Sequence, residues 1–158
     1  MTMLIQDRLA AGKILEQRRA SGNDRWDEVW DEVYILMPNP NIEHQDIATG
    51  LSAIFRAVVD WSGLGKSYQG VNVSDRADDW TKNYRCPDVA VYLTGNPAIA
   101  KGAYWLGGPD FAVEVISPDD RSREKFDFYA RVGVRELLLI DRNPGASNST
   151  TASARNWP

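Results

Sequence analysis

Two apolar strands joined by a helix, between residues 111 and 141, constrain the fold more than any other feature of this sequence. The segments FAVEVI (111–116) and ELLLID (136–141) are rich in β-branched and aliphatic residues, whereas residues from about 119 to 132 show helical spacing that ends at Gly133. A helical connection of this kind joins parallel neighbours, so the two strands are predicted to pair in parallel. The uninterrupted apolar centre of the second strand indicates that both of its faces are covered.

Hydrophobic patterning predicts the other elements. Apolar residues at helical spacing predict helices over 2–20 and 44–61, and β-rich or alternating composition predicts strands within 27–37, 68–74 and 88–93. Together these elements define the α/β class, with a mixed central β-sheet flanked by helices.

Length and composition bound the domain organisation and the location. The chain has 158 residues, which fits a single domain, assigned to residues 1–143. Residues 144–158 carry almost no apolar side chains and are predicted to be a flexible tail. No apolar run approaches the ~20 residues that span a bilayer, the N-terminus lacks a secretory signal, and Cys86 is the only cysteine. A cytoplasmic location is therefore predicted.

Glu114 is the first candidate site residue, because alternation along FAVEVI places it on one face with Ala112 and Ile116. A carboxylate between apolar neighbours is costly to bury alone. It must pair with a cation, bind a metal, reach solvent or stay protonated. A structural salt bridge and a functional carboxylate both satisfy this pattern.

Asp88 is the second candidate, and it opens the strand 88–93 directly after Pro87, a position where aspartate also commonly forms a turn. If this strand neighbours 111–116, the carboxylates of Asp88 and Glu114 can converge on one cation. Mg²⁺ prefers one or two carboxylates together with water and phosphate oxygens, and the main-chain carbonyl of Val115 could add a ligand. A bound cation would also invert the local charge of a chain whose net charge of −4 argues against nonspecific coating of nucleic acid.

Lys125 is the third candidate, on the helix that follows the FAVEVI strand. The start of that helix is ambiguous, because Ser117-Pro118-x-Asp120 fits a capping box and Asp120 alone fits the cap of a helix beginning at Arg121. In the second arrangement the ammonium could hold an attacking water or offset charge on a phosphate. A lysine that is merely solvated is the alternative.

The segments RCPDVAVYL and FAVEVISPDDRSREKFDFYARVGVRELLLID, in that order, resemble the sequence pattern of the Uma2 family of endonucleases. This family is a bacterial branch of the restriction-endonuclease-like PD-(D/E)XK superfamily. Its pattern is P-D-V-A-V, then E-V-x-S-P-x-D-R, a lysine a few positions on, Y-A-x-x-G-V, and a hydrophobic strand that ends in aspartate. The resemblance covers residues from about 26 to 144, with DEVWDEVYILMPNPNIEHQ matching the N-terminal part.

The resemblance implies a restriction-endonuclease-like fold and an endonuclease that hydrolyses phosphodiester bonds in nucleic acid, expected to be DNA, with Mg²⁺ or Mn²⁺. Asp88 matches the aspartate of P-D, and Glu114 matches the acidic residue of (D/E)XK. Ile116 stands where the superfamily usually has lysine, and Lys125 on the following helix takes its place. Nucleases of this type often pair, so a homodimer is expected.

Three further residues are lower-ranked site candidates. Glu28 and His44 match positions where the superfamily often supplies another acidic or polar group, and Asp141 ends the strand beside the crossover. His44 is the only histidine, and it could act as a base or a ligand, although a histidine at a helix start is more commonly structural or solvated.

Two other functions stay open. The missing lysine after Glu114, the acidic composition and the atypical C-terminus favour a catalytically degenerate binding or interaction module on the nuclease fold. A different hydrolase with His44 as base lacks a supporting nucleophile motif, since the sequence has no G-x-S-x-G and no suitable Cys–His arrangement.

Overall fold

The computed structural model describes residues 3–5, 8–117, 121–142 and 150–153. These described residues form twelve strands and three α-helices. The strands are β1 (Met3–Ile5), β2 (Glu28–Trp30), β3 (Val33–Leu36), β4 (Gly65–Gln69), β5 (Val73–Ser74), β6 (Tyr84–Arg85), β7 (Val89–Leu93), β8 (Ile99–Ala100), β9 (Trp105–Leu106), β10 (Phe111–Ile116), β11 (Glu136–Asp141) and β12 (Thr150–Ser153). The helices are α1 (Arg8–Ser21), α2 (Ile42–Phe55) and α3 (Phe126–Val132). A π-helical turn, Arg56–Asp60, extends α2, and 3₁₀ turns occur at Trp80–Lys82 and Ser122–Lys125.

The strands divide into two mixed sheets, which confirms the predicted α/β class but replaces the single central sheet with two. One sheet has the order β12-β11-β10-β7-β4, and the other has the order β1-β3-β2-β6-β5-β9-β8. In the first sheet β10 and β11 pair in parallel, with Glu114 opposite Leu139, as the strand–helix–strand pattern predicted. The neighbours of β10 and β11 on either side, β7 and β12, run antiparallel to them.

Gly70 explains why the strand expected over 68–74 is two strands that belong to different sheets. Its backbone lies in the left-handed region, with φ of 61°, and a Cβ there would lie 2.3 Å from Cζ3 of Trp26. Only glycine accepts both constraints without strain. The chain therefore turns after β4, and β5 joins the other sheet.

Two helices start later than predicted: α1 at Arg8 and α3 at Phe126. Residues 3–5, expected in a helix over 2–20, instead form β1, which pairs antiparallel with the edge of β3. Both proposed caps of the third helix, the Ser117 capping box and Asp120 alone, involve Asp120, which lies outside the described residues. After them a 3₁₀ turn precedes α3, so Lys125 is the residue at which the 3₁₀ turn passes into the α-helix.

The five-stranded sheet is covered on both faces. One face packs against α2, with Val113 and Val115 against Ile47, Leu51 and Phe55. The other face packs against α3, with Ala112, Leu137 and Leu139 against Phe128 and Tyr129. This arrangement accounts for the continuous apolar run of β11, because Leu138 and Ile140 face α2 while their neighbours face α3.

Within the segment 144–158, Thr150–Ser153 forms β12 and pairs antiparallel with β11. Residues 143–149 and 154–158 lie outside the described part of the chain. The division into a domain over 1–143 and a flexible tail therefore stays a prediction. Among the described helices, none is long and apolar enough to cross a membrane.

Candidate active site

Glu114 occupies the middle of β10 and faces α3. Alternation puts its side chain on the same side as Ala112, in the layer that contains Phe128 and Tyr129. The residue is only 3% exposed, so its carboxylate depends on partners supplied by the protein.

Two side chains from the following turn and helix supply those partners. Nζ of Lys125 lies 2.9 Å from Oε1 and 3.0 Å from Oε2 of Glu114. The hydroxyl of Tyr129 donates a short hydrogen bond to Oε1. Lys125 and Tyr129 are four residues apart, which is the spacing that brings two side chains to one face of a helix.

Glu28 of β2 is the second buried carboxylate of this cluster. Its Oε1 lies 2.8 Å from Nζ of Lys125 and accepts a hydrogen bond of 2.8 Å from the backbone N–H of Cys86. Its Oε2 accepts a hydrogen bond of 2.6 Å from Nε1 of Trp30. Glu28 and Lys125 are each 1% exposed, so one ammonium holds a carboxylate from each of the two sheets.

Burial dominates the electrostatics of this cluster. It raises the pKa of Glu114 to about 8, with Asp88 and Glu28 adding to the rise and Lys125 opposing it. Burial by itself would lower the pKa of Lys125, but the carboxylates of Glu114 and Glu28 outweigh it and raise that pKa above the ordinary value. Burial also raises the pKa of Tyr129 well above its usual value, so the phenol stays a hydrogen-bond donor.

Asp88 lies immediately before β7 and is 8% exposed. Its Oδ1 lies 2.8 Å from Nε2 of His44, and its Oδ2 accepts a hydrogen bond of 2.7 Å from the backbone N–H of Val115. Because Val89 pairs with Val113, Asp88 and Glu114 are the next residues along two antiparallel strands. In such strands the N–H and C=O of one residue project to the same side, so the Val115 carbonyl also faces the side of Asp88.

The ligand atoms at this site are of the type that a hard cation binds, but they do not form a complete coordination shell. The carboxylates of Asp88 and Glu114 and the Val115 carbonyl offer oxygen ligands of the kind that Mg²⁺ prefers, with room in its shell for water. Oε1 of Glu114 already accepts from both Lys125 and Tyr129. Oε2 of Glu114 and the two oxygens of Asp88 accept one hydrogen bond each, so each of them keeps a lone pair for a cation. In the described residues, no three His, Cys, Asp or Glu side chains are grouped so that they could hold a metal ion.

Five predicted residues contribute to two adjoining networks. One contains Glu114, Lys125 and Glu28, and the other contains Asp88 and His44. Asp141 ends β11 opposite Ile116, two residues beyond the partner of Glu114, and its role stays a prediction.

Sequence reasoning missed four residues of these networks: Trp30, Ser117, Tyr129 and Arg142. The four-residue spacing of Lys125 and Tyr129 was a usable signal for Tyr129. The alternation of β2, which puts Trp30 on the same face as Glu28, was a usable signal for Trp30. Ser117 and Arg142 reach the site through contacts that no local pattern marks.

Comparison with solved structures places this architecture among nuclease-like α/β proteins. A crystal structure from Anabaena variabilis ATCC 29413, described as a "putative nuclease belonging to DUF820", matches with a TM-score of 0.59 and 19% sequence identity. The match covers 73% of this chain and 65% of that chain. At this level of identity the likeness concerns the fold.

The chain belongs to the Uma2 family, described as "Putative restriction endonuclease", whose model matches residues 15–150. Comparison with curated proteins gives no match. The family description supports a nuclease-type function.

Proposed function

We propose that this protein is a metal-dependent endonuclease that hydrolyses phosphodiester bonds in nucleic acid, with DNA the expected substrate. The observation that supports it most is the convergence of Asp88, Glu114 and Lys125. They come from the start of β7, the middle of β10 and the turn before α3, and each is less than a tenth exposed. Burying three charged side chains is costly unless each is paired, and such buried clusters are common at functional sites.

Asp88, Glu114 and the main-chain carbonyl of Val115 would hold Mg²⁺ or Mn²⁺. When bound, such an ion lowers the pKa of a coordinated water and offsets charge on the phosphate. The protein fixes the two carboxylates beforehand: His44 and the Val115 N–H hold Asp88, and Lys125 and Tyr129 hold Glu114. Ligands held in this way lose little freedom when a cation arrives.

Lys125 would act on the substrate side of the same site. Its ammonium makes three contacts, one with Glu28 and two with Glu114, which matches its three N–H donors. To reach an attacking water or a phosphate oxygen it must therefore exchange one of these contacts. Glu28 would then keep the ammonium in place, and Tyr129 would keep Glu114 in place for the cation.

The same contacts favour a second candidate, a catalytically degenerate binding module on the nuclease fold. A lysine that is 1% exposed and fully used by two carboxylates can serve simply as a structural counter-ion. The two candidates differ in whether Lys125 ever leaves Glu114.

A homodimer in the cytoplasm completes the proposal. Three apolar side chains at helical spacing along α2 and its π turn, Ile54, Val58 and Trp61, are each more than half exposed. Exposed apolar groups of this kind support a contact surface.

Cleavage of duplex DNA, single-stranded DNA and RNA in the presence of Mn²⁺ tests the proposal. Wild type is compared with Asp88→Asn and Glu114→Gln, which preserve shape but remove charge, and with Glu124→Gln as a matched control at an exposed carboxylate. We expect cleavage by wild type and the control, and a loss of at least about 100-fold in the other two. Cleavage retained by Asp88→Asn or Glu114→Gln refutes the site, and a folded wild type that cuts none of these substrates favours the binding module.

A further inference from the structure

His44 occupies a position from which it can orient Asp88. It lies in the first turn of α2, where its backbone N–H donates to the side-chain oxygen of the N-cap residue Asn41 at 3.0 Å. Its ring is largely enclosed, since the residue is 9% exposed. Both ring nitrogens have partners: Nε2 lies 2.8 Å from Oδ1 of Asp88, and Nδ1 lies 3.4 Å from Oγ of Ser117.

Arg142 is the donor at one end of this series of contacts. Its Nη2 donates to Oγ of Ser117 at 3.0 Å, and a guanidinium can only donate. The Ser117 oxygen therefore accepts from Arg142. The same hydroxyl lies within reach of Nδ1 of His44.

We infer that His44 is a positioning residue for Asp88, and that the contact series Arg142–Ser117–His44 holds the ring in place. A carboxylate only accepts hydrogen bonds, so Nε2–H of His44 donates to Oδ1 of Asp88. His44 then acts neither as a general base nor as a metal ligand, because both nitrogens are used. The inference rests on the proposed function, in which Asp88 binds the cation.

The other guanidinium nitrogens of Arg142 also make contacts that hold this region together. The side chain is 8% exposed, and its Nε donates to the Ile116 carbonyl at 3.1 Å. Its Nη1 contacts Asn41 Oδ1 at 2.8 Å and Glu43 Oε2 at 3.0 Å. One guanidinium thus ties the ends of β10 and β11 to the first turn of α2, from which His44 projects.

Asp88 is consequently held from two directions. The backbone N–H of Val115 fixes Oδ2, and the imidazole of His44 fixes Oδ1. Two donors on different oxygens set the rotation of a carboxylate, and they leave its remaining lone pairs for a cation. Hydrogen-bond partners of metal ligands commonly contribute 10- to 100-fold to metal affinity.

The hydrogen on Nε2 can be detected directly, because His44 is the only histidine of the chain. Nitrogen NMR of metal-free protein carrying ¹⁵N-labelled histidine reports a single ring without assignment. We expect the hydrogen on Nε2 in wild type, and a changed Nε2 signal in Asp88→Ala. An Nε2 without a hydrogen, or ring signals unaffected by Asp88→Ala, overturns the inference.

A second measurement separates positioning from direct binding. Calorimetric titration with Mn²⁺ compares wild type, His44→Gln, His44→Leu and the control Thr49→Leu on the exposed side of α2. Glutamine retains an N–H donor, so we expect its affinity to stay near wild type, whereas leucine should lower the affinity about 10- to 100-fold. Equal losses in both variants show that the ring itself is needed and overturn the inference. A wild type that binds no Mn²⁺ overturns the proposed function, and the NMR result then decides the orientation of Asp88 separately.

Discussion

Nζ of Lys125 lies 2.9 Å from Oε1 of Glu114, and both residues are almost completely buried. The strand that carries Glu114 and the turn that carries Lys125 belong to the same crossover unit, so the pair joins the sheet to the helix that covers it. Glu28 brings the other sheet to the same ammonium at 2.8 Å. One cation thus links three structural elements through two carboxylates.

Replacement of Lys125 by methionine should destabilise the protein by ~3–5 kcal/mol, because it leaves two buried carboxylates without their counter-ion. Urea unfolding at pH 9, above the raised pKa of Glu114, measures the change with both carboxylates charged. The matched control is Lys82→Met, at an exposed lysine whose contact with Asp79 lies at the surface, and it should change stability little. The double variant Lys125→Met, Glu114→Gln should recover part of the loss, since it removes one of the uncompensated charges. Equal stability of wild type and Lys125→Met contradicts the role given to this pair.

Trp30→Phe should cost ~1–3 kcal/mol, because it removes the only described donor to Oε2 of the buried Glu28 while keeping an aromatic ring. Thermal or urea unfolding measures the difference. Trp61→Phe is the matched control, at an indole that is 79% exposed, and it should stay within ~0.5 kcal/mol of wild type. Indistinguishable effects at the two positions would show that the Trp30–Glu28 hydrogen bond contributes nothing to stability.

The sequence predicted the crossover unit and the face of Glu114 correctly, since both depend on local periodicity. The continuous apolar run of β11 indicated two covered faces, and alternation in β10 put a charge on one of them. The constraint at Gly70 was harder to predict from the sequence, because it arises where Trp26 packs against the turn. At this turn the chain passes from β4 to β5, which belong to different sheets.

The partners of the candidate site were harder to predict because they come from distant parts of the chain. The backbone N–H of Cys86 that holds Glu28 is 58 residues away in sequence, and Arg142 is 25 residues from Ser117. A sequence pattern shows that a buried carboxylate needs a partner, but the packing of the sheets decides which partner it receives. The complete use of the Lys125 ammonium is a consequence of this packing.

Glu114 should make the stability of the metal-free protein depend on pH. Burial raises its pKa from an ordinary value of 4.5 to about 8, so between these values the native state binds more protons than the unfolded state. The free energy of unfolding should therefore fall as the pH rises through this window, by at most ~1.4 kcal/mol per pH unit. Unfolding in urea with EDTA, from pH 5 to 8.5, should show this slope in wild type and a flatter curve in Glu114→Gln. Parallel curves for the two proteins contradict a raised pKa at Glu114.

Divalent cations should stabilise Lys125→Met more than they stabilise wild type. Without the ammonium, Glu28 and Glu114 form a buried acidic pair, and a cation at that position restores the missing positive charge. A ligand that binds only the native state stabilises it by ~2.7 kcal/mol at a concentration 100 times its dissociation constant. Thermal unfolding with and without Mn²⁺ should accordingly show a larger rise in melting temperature for Lys125→Met than for wild type or Lys82→Met. An equal rise in all three would mean that Mn²⁺ binds away from Lys125, and that the two carboxylates take up protons instead.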